Sequence, residues 1–326
     1  MPSDKVENII IGLHDSNQRL DKWLLSRFHN LNNSMVQKLI RTKQIKVDGK
    51  GVVHNYILHA GESIRIPVYF ISQIKDNKKS KKVVNPAKYQ KEIQQLVDCV
   101  IYKDDNLIIL NKPAGVAVQG GTDVGFNISM AAPFLRFELE NNPLIVHRID
   151  KDTSGVLILA RNKAAAGYMF NLFKDKQIKK TYICLVHPFI LKKYQNIGLS
   201  GTISAPLLKE GNINAEGISI NENGKEAITN YKVLAYSGDI ALMEVQPLTG
   251  RTHQIRVHMA EYLQNPIVGD FKYGAVPLRE KNINYRKMYL HAKSIEFISI
   301  DGKKISITAD FDNNFTDTLQ ILNLQI

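Results

Sequence analysis

The chain has little cysteine, no long apolar run and none of the common cofactor-binding patterns. Its 326 residues include only two cysteines, Cys99 and Cys184, which excludes a disulfide scaffold and a zinc cluster and predicts a reducing cytoplasm. The apolar runs, such as 155–160, have strand length, so we expect neither a membrane span nor a signal peptide. GxxxxGKS/T, GxGxxG and metal-type Cys/His spacings do not occur either.

The chain has an excess of positive charge, which is concentrated in its N-terminal part. The net charge is +12 at pH 7. Residues 1–91 hold 17 Lys and Arg against 7 Asp and Glu, whereas residues 92–326 hold 26 against 24. This asymmetry favours a polyanionic partner, because cations that neutralise phosphates release condensed counterions. A merely solvated basic surface explains the charge equally well.

Length and composition predict two domains joined by a linker. A chain of 326 residues that is 44% hydrophobic exceeds one ordinary domain and can bury at least one large core. Residues 72–91 contain KDNKKSKK without apolar periodicity, which is typical of a solvated basic linker. We therefore place a small first domain at 1–71 and a larger second domain at 92–326.

The first domain has the pattern of a compact α/β unit. Leu20, Trp23, Leu24 and Phe28 recur at helical spacing, and a second helix and a small β-ribbon are predicted to follow. Three segments, RLDKWLLSRF, SMVQKLIRTKQIKVDGK and NYILHAGESIRIP, resemble the S4 RNA-binding domain. The resemblance implies an RNA-binding face made of Lys38, Arg41, Lys43 and Lys46. Each of these cations, taken singly, is explained as well by ordinary surface charge.

The second domain has many strand patterns and few helical ones. Strands are predicted at 100–102, 107–110, 156–160, 181–186, 228–235, 240–245 and 294–298, and helices at 163–173 and 252–263. Many β-runs without regularly alternating helices predict the α+β class, with a mixed, mainly antiparallel sheet.

Two polar clusters interrupt this pattern. The first, HRIDKDTSG at 147–155, places Asp150 and Asp152 beside cations, and a nearby arginine lowers the pKa of a carboxyl group and keeps it ionised. Taken alone, this segment is more typical of a surface turn in which Thr153 and Ser154 make local hydrogen bonds. Together with a second polar cluster, however, it indicates a functional site.

The second cluster is LTGRTHQIRVHM at 248–259. Arg251, His253 and Arg256 cannot all face a core. Zinc binding is disfavoured, because His253 and His258 do not have the spacing that shares a helix face. Arginines together with helix N-terminal amides favour the binding of an anion instead.

Four segments resemble, in order, the motifs of the RluA family of pseudouridine synthases. They are LNKPAGVAVQGG, HRIDKDTSGVLILARN, KTYICLV and TGRTHQIRVHMAEYLQNPIVGDFKYG. The resemblance implies isomerisation of specific uridines in 23S (large-subunit) ribosomal RNA by a cytoplasmic protein, which we expect to be a monomer. It also implies that no cofactor or metal is needed, because the reaction involves no redox change or energy input.

The resemblance further implies roles for individual residues. Asp150 corresponds to the catalytic aspartate, with Ile149 where the family has leucine. Arg148 corresponds to the arginine that takes the place of the flipped base, and Tyr182 to the tyrosine that stacks near the base and is proposed as a general base. Arg256 corresponds to the partner of the carboxylate.

Three further residues of the second cluster are expected at the substrate. Ile255 is expected to pack under the uracil, and Arg251 and His253 are expected to contact the substrate. One departure from the family pattern is His187-Pro188, where relatives often carry glycine.

Two other functions stay open at this point. A non-catalytic S4-type RNA-binding or ribosome-assembly factor would use the basic first domain but would have no use for a buried carboxylate. A glycoside hydrolase would pair Asp150 with Asp152, although two carboxylates so close on one loop would not obviously flank a sugar.

Overall fold

The structure is a computed structural model in which the chain forms two compact units. It describes residues 6–28, 31, 33–67, 86–120, 125–189, 198–212, 215–278 and 283–325. The units are Met1–Val84 and Asn85–Ile326. No helix in these ranges is long and apolar enough to cross a bilayer.

The first unit packs two helices on a small antiparallel sheet. Its described elements are strands β1 (Val6–Ile10), β2 (Lys46–Val47) and β3 (Ser63–Pro67) and helices α1 (Leu20–Arg27) and α2 (Asn33–Arg41). The strands pair in the order β1-β3-β2. Leu20, Trp23, Leu24 and Phe28 are buried in the core of this unit, as their helical spacing predicts.

The linker predicted over 72–91 is described only in its last part. Residues 72–85 lie outside the described residues. Residues 86–91 are helical instead of forming a linker, because a 3-10 turn at Pro86–Tyr89 leads directly into helix α3 (Gln90–Asp98). Ile93 and Leu96 of α3 are buried, which gives this segment a core to pack on.

The second unit contains the predicted strands together with several elements that were not predicted. The strands are β4 (Val100–Lys103), β5 (Leu107–Lys112), β6 (Leu144–Ile145), β7 (Ser154–Ala160), β8 (Lys179–Val186), β9 (Ser200–Ser204), β10 (Leu207–Asn212), β11 (Ala215–Ile220), β12 (Ile228–Ser237), β13 (Ile240–Pro247), β14 (Leu290–Ile298) and β15 (Lys304–Thr308). The helices after α3 are α4 (Ile128–Ala131), α5 (Lys163–Lys174), α6 (Gln254–Val257), which continues as a π-helical turn at His258–Tyr262, and α7 (Asn313–Ile321).

One large sheet organises this unit. Ten of the strands in the described ranges belong to it, in the order β4-β5-β7-β14-β8-β13-β12-β9, with β15 beside β14 and β6 beside β7. All of these pairs are antiparallel except β7 with β14, which run parallel. This confirms the α+β class and the mixed, mainly antiparallel sheet.

A close backbone contact at the parallel pair positions the loop at 147–153. Gly155, near the start of β7, pairs with Ala292 of β14, and Ala292 pairs on its other side with Tyr182 of β8. Gly155 has a φ of +100°, and a Cβ there would overlap the Ala292 carbonyl, so the position requires glycine. The polar loop that precedes β7 therefore enters the sheet close to the strand that carries Tyr182.

Candidate active site

Both polar clusters of the second unit line one cavity. Its volume is about 770 Å³, within the usual range for small-molecule sites. The loop at 146–151 lines it together with the segments 247–252 and 254–256. The side wall includes Lys180 and Tyr182 of β8 and residues of α5. The cavity thus joins chain segments that are about 100 positions apart in sequence.

The centre of the site is a carboxylate held by an arginine. Arg256 donates from Nη1 to Asp150 Oδ2 at 3.2 Å. Its Nε and Nη2 donate to the two carboxylate oxygens of Asp270, each at 2.7 Å. The side chain of Asp150 is 24% exposed and that of Asp270 only 1%, so Arg256 bridges a carboxylate open to the cavity and a fully buried one.

The electrostatics hold this guanidinium in its charged form. Burial opposes the charge of Arg256, but the hydrogen bond and charge of Asp270, followed by those of Asp150, outweigh it and raise the pKa above the ordinary arginine value. The guanidinium also lies over the ring of Tyr273, 5.0 Å from its centroid. A fixed positive charge therefore faces Asp150 throughout the neutral pH range.

His253 lies beside Asp150 but does not line the cavity. Its Nε2 is 3.9 Å from Asp150 Oδ1, and its Nδ1 is 2.6 Å from the Tyr273 hydroxyl. Burial is the main cause that lowers the pKa of His253, which favours the neutral ring. If the Tyr273 hydroxyl donates to Nδ1, the neutral ring carries its proton on Nε2, the nitrogen nearer to Asp150. His253 therefore lies next to the carboxylate, and its expected contact with the substrate stays a prediction.

A buried lysine ties down the loop that carries Asp150. Lys112 is fully buried, and its Nζ donates to the carbonyl oxygens of Pro113 at 2.9 Å, Val116 at 2.9 Å and Lys151 at 3.0 Å. Burial lowers its pKa to about 7, whereas the charges of Asp152 and Asp150 act in the opposite direction. Three carbonyl acceptors match the three N–H groups of the ammonium form, so the charged lysine is the form that satisfies this arrangement.

The segment at 150–154 combines a turn with long-range contacts. The Thr153 amide donates to the Asp150 carbonyl at 3.2 Å, which is the local turn bond that the sequence permits. Thr153 and Ser154 are nevertheless buried, and Ser154 Oγ bonds to His291 Nδ1 of β14 at 2.9 Å. The segment is therefore a turn fixed against the sheet, and the interpretation as an exposed surface turn is wrong.

Two polar side chains of β8, Lys180 and Tyr182, line the cavity and are largely shielded from water. Burial, reinforced by the charge of Asp150, raises the pKa of Tyr182, so its phenol stays protonated at neutral pH. Burial lowers the pKa of Lys180 to about 8. The Lys180 ammonium donates to the Thr249 carbonyl at 3.3 Å. The expected roles of Tyr182 in stacking near the base and as a general base stay predictions.

The remaining predicted residues of the cavity differ in exposure. Ile255 is 7% exposed and lines the cavity as an apolar surface. Arg148 is exposed and lines the cavity, without a carboxylate partner among the described residues. Arg251 lines it as well, with Nε donating to the Glu226 carbonyl at 2.9 Å. The Arg251 amide, one of those expected to bind an anion, instead donates to Gln254 Oε1 at 3.0 Å.

Other sequence features lie elsewhere. Asp152 lines a neighbouring cavity, so the two carboxylates do not line one cavity together as the pair of a glycoside hydrolase would. His187 follows β8 and bonds to Asp239 at 2.9 Å, and neither it nor Pro188 lines the Asp150 cavity.

The cations expected to bind RNA belong to the first unit; they are Lys38, Arg41, Lys43 and Lys46. Within the described residues, no group of three or more His, Cys, Asp and Glu side chains could hold a metal ion.

The arrangement at Asp150 offers an ionised carboxylate at a cavity, a group that can act as a nucleophile or as a base. The sequence pattern of the family described as RNA pseudouridylate synthase matches residues 106–261. The chain is 36% identical over 318 residues to the ribosomal large subunit pseudouridine synthase C of Buchnera aphidicola subsp. Baizongia pistaciae, with 94% of each chain covered. It is 32% identical to the protein of the same name from Vibrio cholerae, with 97% of this chain and 96% of that one covered.

The chain therefore belongs to the RNA pseudouridylate synthase family, and it is an RNA pseudouridine synthase. Two solved structures share its fold. Human RNA pseudouridylate synthase domain containing 4 has a TM-score of 0.62 at 24% identity and covers 74% of this chain and 98% of its own. Human RNA pseudouridylate synthase domain containing 1 has a TM-score of 0.55 at 28% identity and covers 67% of this chain and 84% of its own.

Replacement of Asp270 by asparagine tests whether the position of Arg256 matters for the reaction. Asp270→Asn keeps the shape but removes the charge that orients Arg256, and a displacement of the guanidinium by about 1 Å can reduce a rate about 100-fold. We expect kcat to fall roughly 10- to 100-fold with little change in KM. Steady-state kinetics on RNA measures both constants, and an unchanged kcat would exclude a positioning role for Asp270.

Proposed function

We propose that this synthase converts specific uridines of large-subunit (23S) ribosomal RNA to pseudouridine, with Asp150 as its catalytic residue. The observation that carries the proposal is the Asp150 carboxylate in the cavity, held by Arg256 at 3.2 Å. The names of relatives that match over almost the whole chain support large-subunit RNA as the substrate. A monomer acting in the cytoplasm belongs to the same proposal, and free thiols at Cys99 and Cys184 agree with that compartment.

The reaction exchanges one bond of the nucleoside for another. The bond between N1 and C1′ breaks, the uracil turns, C5 bonds to C1′, and the C5 proton is lost while N1 gains one. A carboxylate can begin this by attacking C1′, by adding to the uracil ring or by removing a sugar proton. All three routes start from an ionised oxygen. Burial under a base disfavours that charge, and Arg256 offsets the penalty.

The other cavity residues have roles in holding an extruded base. Flipping a uridine out of its stack costs a few kcal/mol, which is least where the RNA is already looped or mismatched. Arg148, exposed at the cavity, enters the vacated space in the RNA, while Ile255 packs under the uracil and the Tyr182 ring stacks near it. Arg251 contributes positive charge beside the substrate, and recognition favours folded single-stranded regions of RNA.

The first unit acts in this proposal as an S4-type RNA-binding domain. Lys38, Arg41 and Lys43 are exposed, and Lys46 is partly exposed on β2. Lys46 stands directly opposite Arg65 of β3, which is also exposed. Like charges directly opposite each other destabilise a sheet. A polyanion at this surface would relieve that repulsion, so Arg65 joins the four predicted cations in the proposed face.

The salt dependence of RNA affinity tests this face. Each cation that contacts a phosphate contributes about 0.7–0.9 to the slope of log K against log salt concentration. We expect the combined variant Lys38→Ala, Arg41→Ala, Lys43→Ala, Lys46→Ala to reduce the slope by about 3, measured by filter binding of 23S rRNA. Lys22→Ala, on an exposed lysine of α1 outside the set, serves as control. An unchanged slope in the combined variant would exclude the proposed face.

The substrate is tested by mapping the product. The purified chain is incubated with unmodified 23S and 16S rRNA transcripts, and pseudouridine is located by carbodiimide labelling and primer extension. We expect discrete sites in the 23S transcript and none in the 16S transcript. Absence of product in 23S rRNA, or equal labelling of both RNAs, would overturn the proposed substrate.

A further inference from the structure

Helix α5 presents an exposed aromatic ring to the cavity that contains Asp150. Phe170 is 63% exposed and lines this cavity. Single exposed apolar side chains are common on protein surfaces, so exposure alone assigns no role. Phe134, for example, is 42% exposed but does not line the cavity. It is the position of Phe170 in the lining of the cavity that contains Asp150 that needs an explanation.

The helix that carries Phe170 is fixed to the catalytic loop. Phe173, one turn further along α5, stacks on the ring of His147 with centroids 4.7 Å apart. His147 Nε2 in turn accepts the amide of Ile158 in β7 at 2.8 Å. Burial lowers the pKa of His147 to about 3, so the ring stays neutral and retains this acceptor. The end of α5 therefore has a set position relative to the loop that carries Asp150.

The surroundings of Phe170 combine apolar surface with positive charge. Lys174 is four positions along α5, on the same helix face, and is exposed without a salt bridge to any described residue. Lys176 lines the cavity too and pairs with Glu226 at 3.1 Å, with both side chains about half exposed. Leu248, 45% exposed, adds a second apolar side chain to the cavity lining. A ring with a cation one turn away matches the base and phosphate of a single nucleotide.

We infer that Phe170 is a stacking platform for a base next to the target uridine in the RNA strand, with Lys174 at the adjoining phosphate. The inference rests on the proposed function and specifies which part of the RNA the cavity rim recognises. Extrusion of a uridine leaves its neighbours without a stacking partner on one side. An aromatic ring at the cavity restores that stacking without regard to base identity, since every base has a π-face. A protein partner would favour a larger apolar area with less charge around it.

The first test separates binding from chemistry. Three variants are compared with wild type on 23S rRNA: Phe170→Ala, Phe170→Tyr and the matched control Phe134→Ala. We expect Phe170→Ala to raise KM roughly tenfold, because stacking contributes about 5- to 150-fold per base, with kcat unchanged within about twofold. Phe170→Tyr keeps the ring and should retain the wild-type KM, as should Phe134→Ala. An unchanged KM in Phe170→Ala, or an equal rise in Phe170→Tyr, would overturn the inference.

The second test removes the neighbouring base instead of the ring. A synthetic stem-loop containing one mapped target uridine is made with its neighbour either intact or abasic, on each side in turn. On one side, the abasic change should raise KM for wild type by the same factor as Phe170→Ala and should have no further effect in that variant. Equal sensitivity in both proteins would contradict stacking on Phe170. Lack of product from wild type on 23S rRNA would overturn the proposed function and this inference together. If wild type is active, the results with the Phe170 variants and the abasic RNAs test only the role of Phe170.

Discussion

Asp150→Asn is expected to reduce pseudouridine formation by at least about 10⁴-fold, the order of loss seen when a catalytic side chain is removed. Asparagine keeps the size of the side chain and one oxygen for Arg256, so the fold should persist while the negative charge is lost. RNA affinity should stay within about threefold of wild type, since the charge of Asp150 does not attract a polyanion. Nucleoside mass spectrometry measures product, and filter binding measures affinity.

Asp152→Asn is the matched control for this prediction. Asp152 is two positions from Asp150 on the same loop but is exposed and lines the neighbouring cavity. The control removes the same charge and should change the rate by less than about fivefold. An equal loss of activity in both variants would mean that the loop tolerates neither change, and it would refute a specific role for Asp150.

Arg256→Met is expected to reduce both activity and stability. The substitution removes the two bonds to Asp270 and the one to Asp150, which leaves a fully buried carboxylate without its cation. Breaking a buried pair from one side lowers the free energy of unfolding by about 3–5 kcal/mol. Loss of a fixed charge at the reacting centre lowers the rate by about 10²- to 10³-fold. Urea denaturation and single-turnover kinetics measure the two effects.

Two comparisons sharpen the Arg256 prediction. Arg251→Met removes an exposed arginine from the same cavity and should change the free energy of unfolding by less than about 1 kcal/mol. Arg256→Lys keeps the charge but cannot bond to both oxygens of Asp270 and to Asp150 at once, so it should restore only part of either loss. Full recovery in the lysine variant would show that charge alone, without the bridging geometry, is what the site requires.

Much of the fold could be predicted because its core strands are short, apolar and bounded by turn residues. Strand β7 is buried along its whole length, which is why 156–160 indicates a strand so clearly. Elements with weaker apolar patterns, such as the antiparallel pair of β10 and β11, were not predicted. The order of strands in the sheet could not be predicted from the sequence either, because the parallel pairing of β7 with β14 joins residues 137 positions apart.

The candidate site could be predicted only in part. The resemblance indicated Asp150 and Arg256, and the structure places them in contact. Asp270, the stronger partner of Arg256, lies inside a quoted motif but was not identified, although a carboxylate after the apolar run PIVG was a usable signal. Lys112 gave no such signal, because only the fold shows that its ammonium reaches three carbonyl groups. The assignment of His253 to the substrate stays a prediction, and its contact with Tyr273 could not be read from the sequence, because the two residues are 20 positions apart.

Release of tritium from C5 of uridine tests the central claim most directly, because isomerisation must break that bond whereas hydrolysis need not. The chain is incubated with 23S rRNA tritiated at uridine C5, and tritiated water and free uracil are measured in the same samples. The account predicts that wild type releases tritium without free uracil and that Asp150→Asn releases neither. Free uracil from wild type, or tritium release at the wild-type rate by Asp150→Asn, would contradict it.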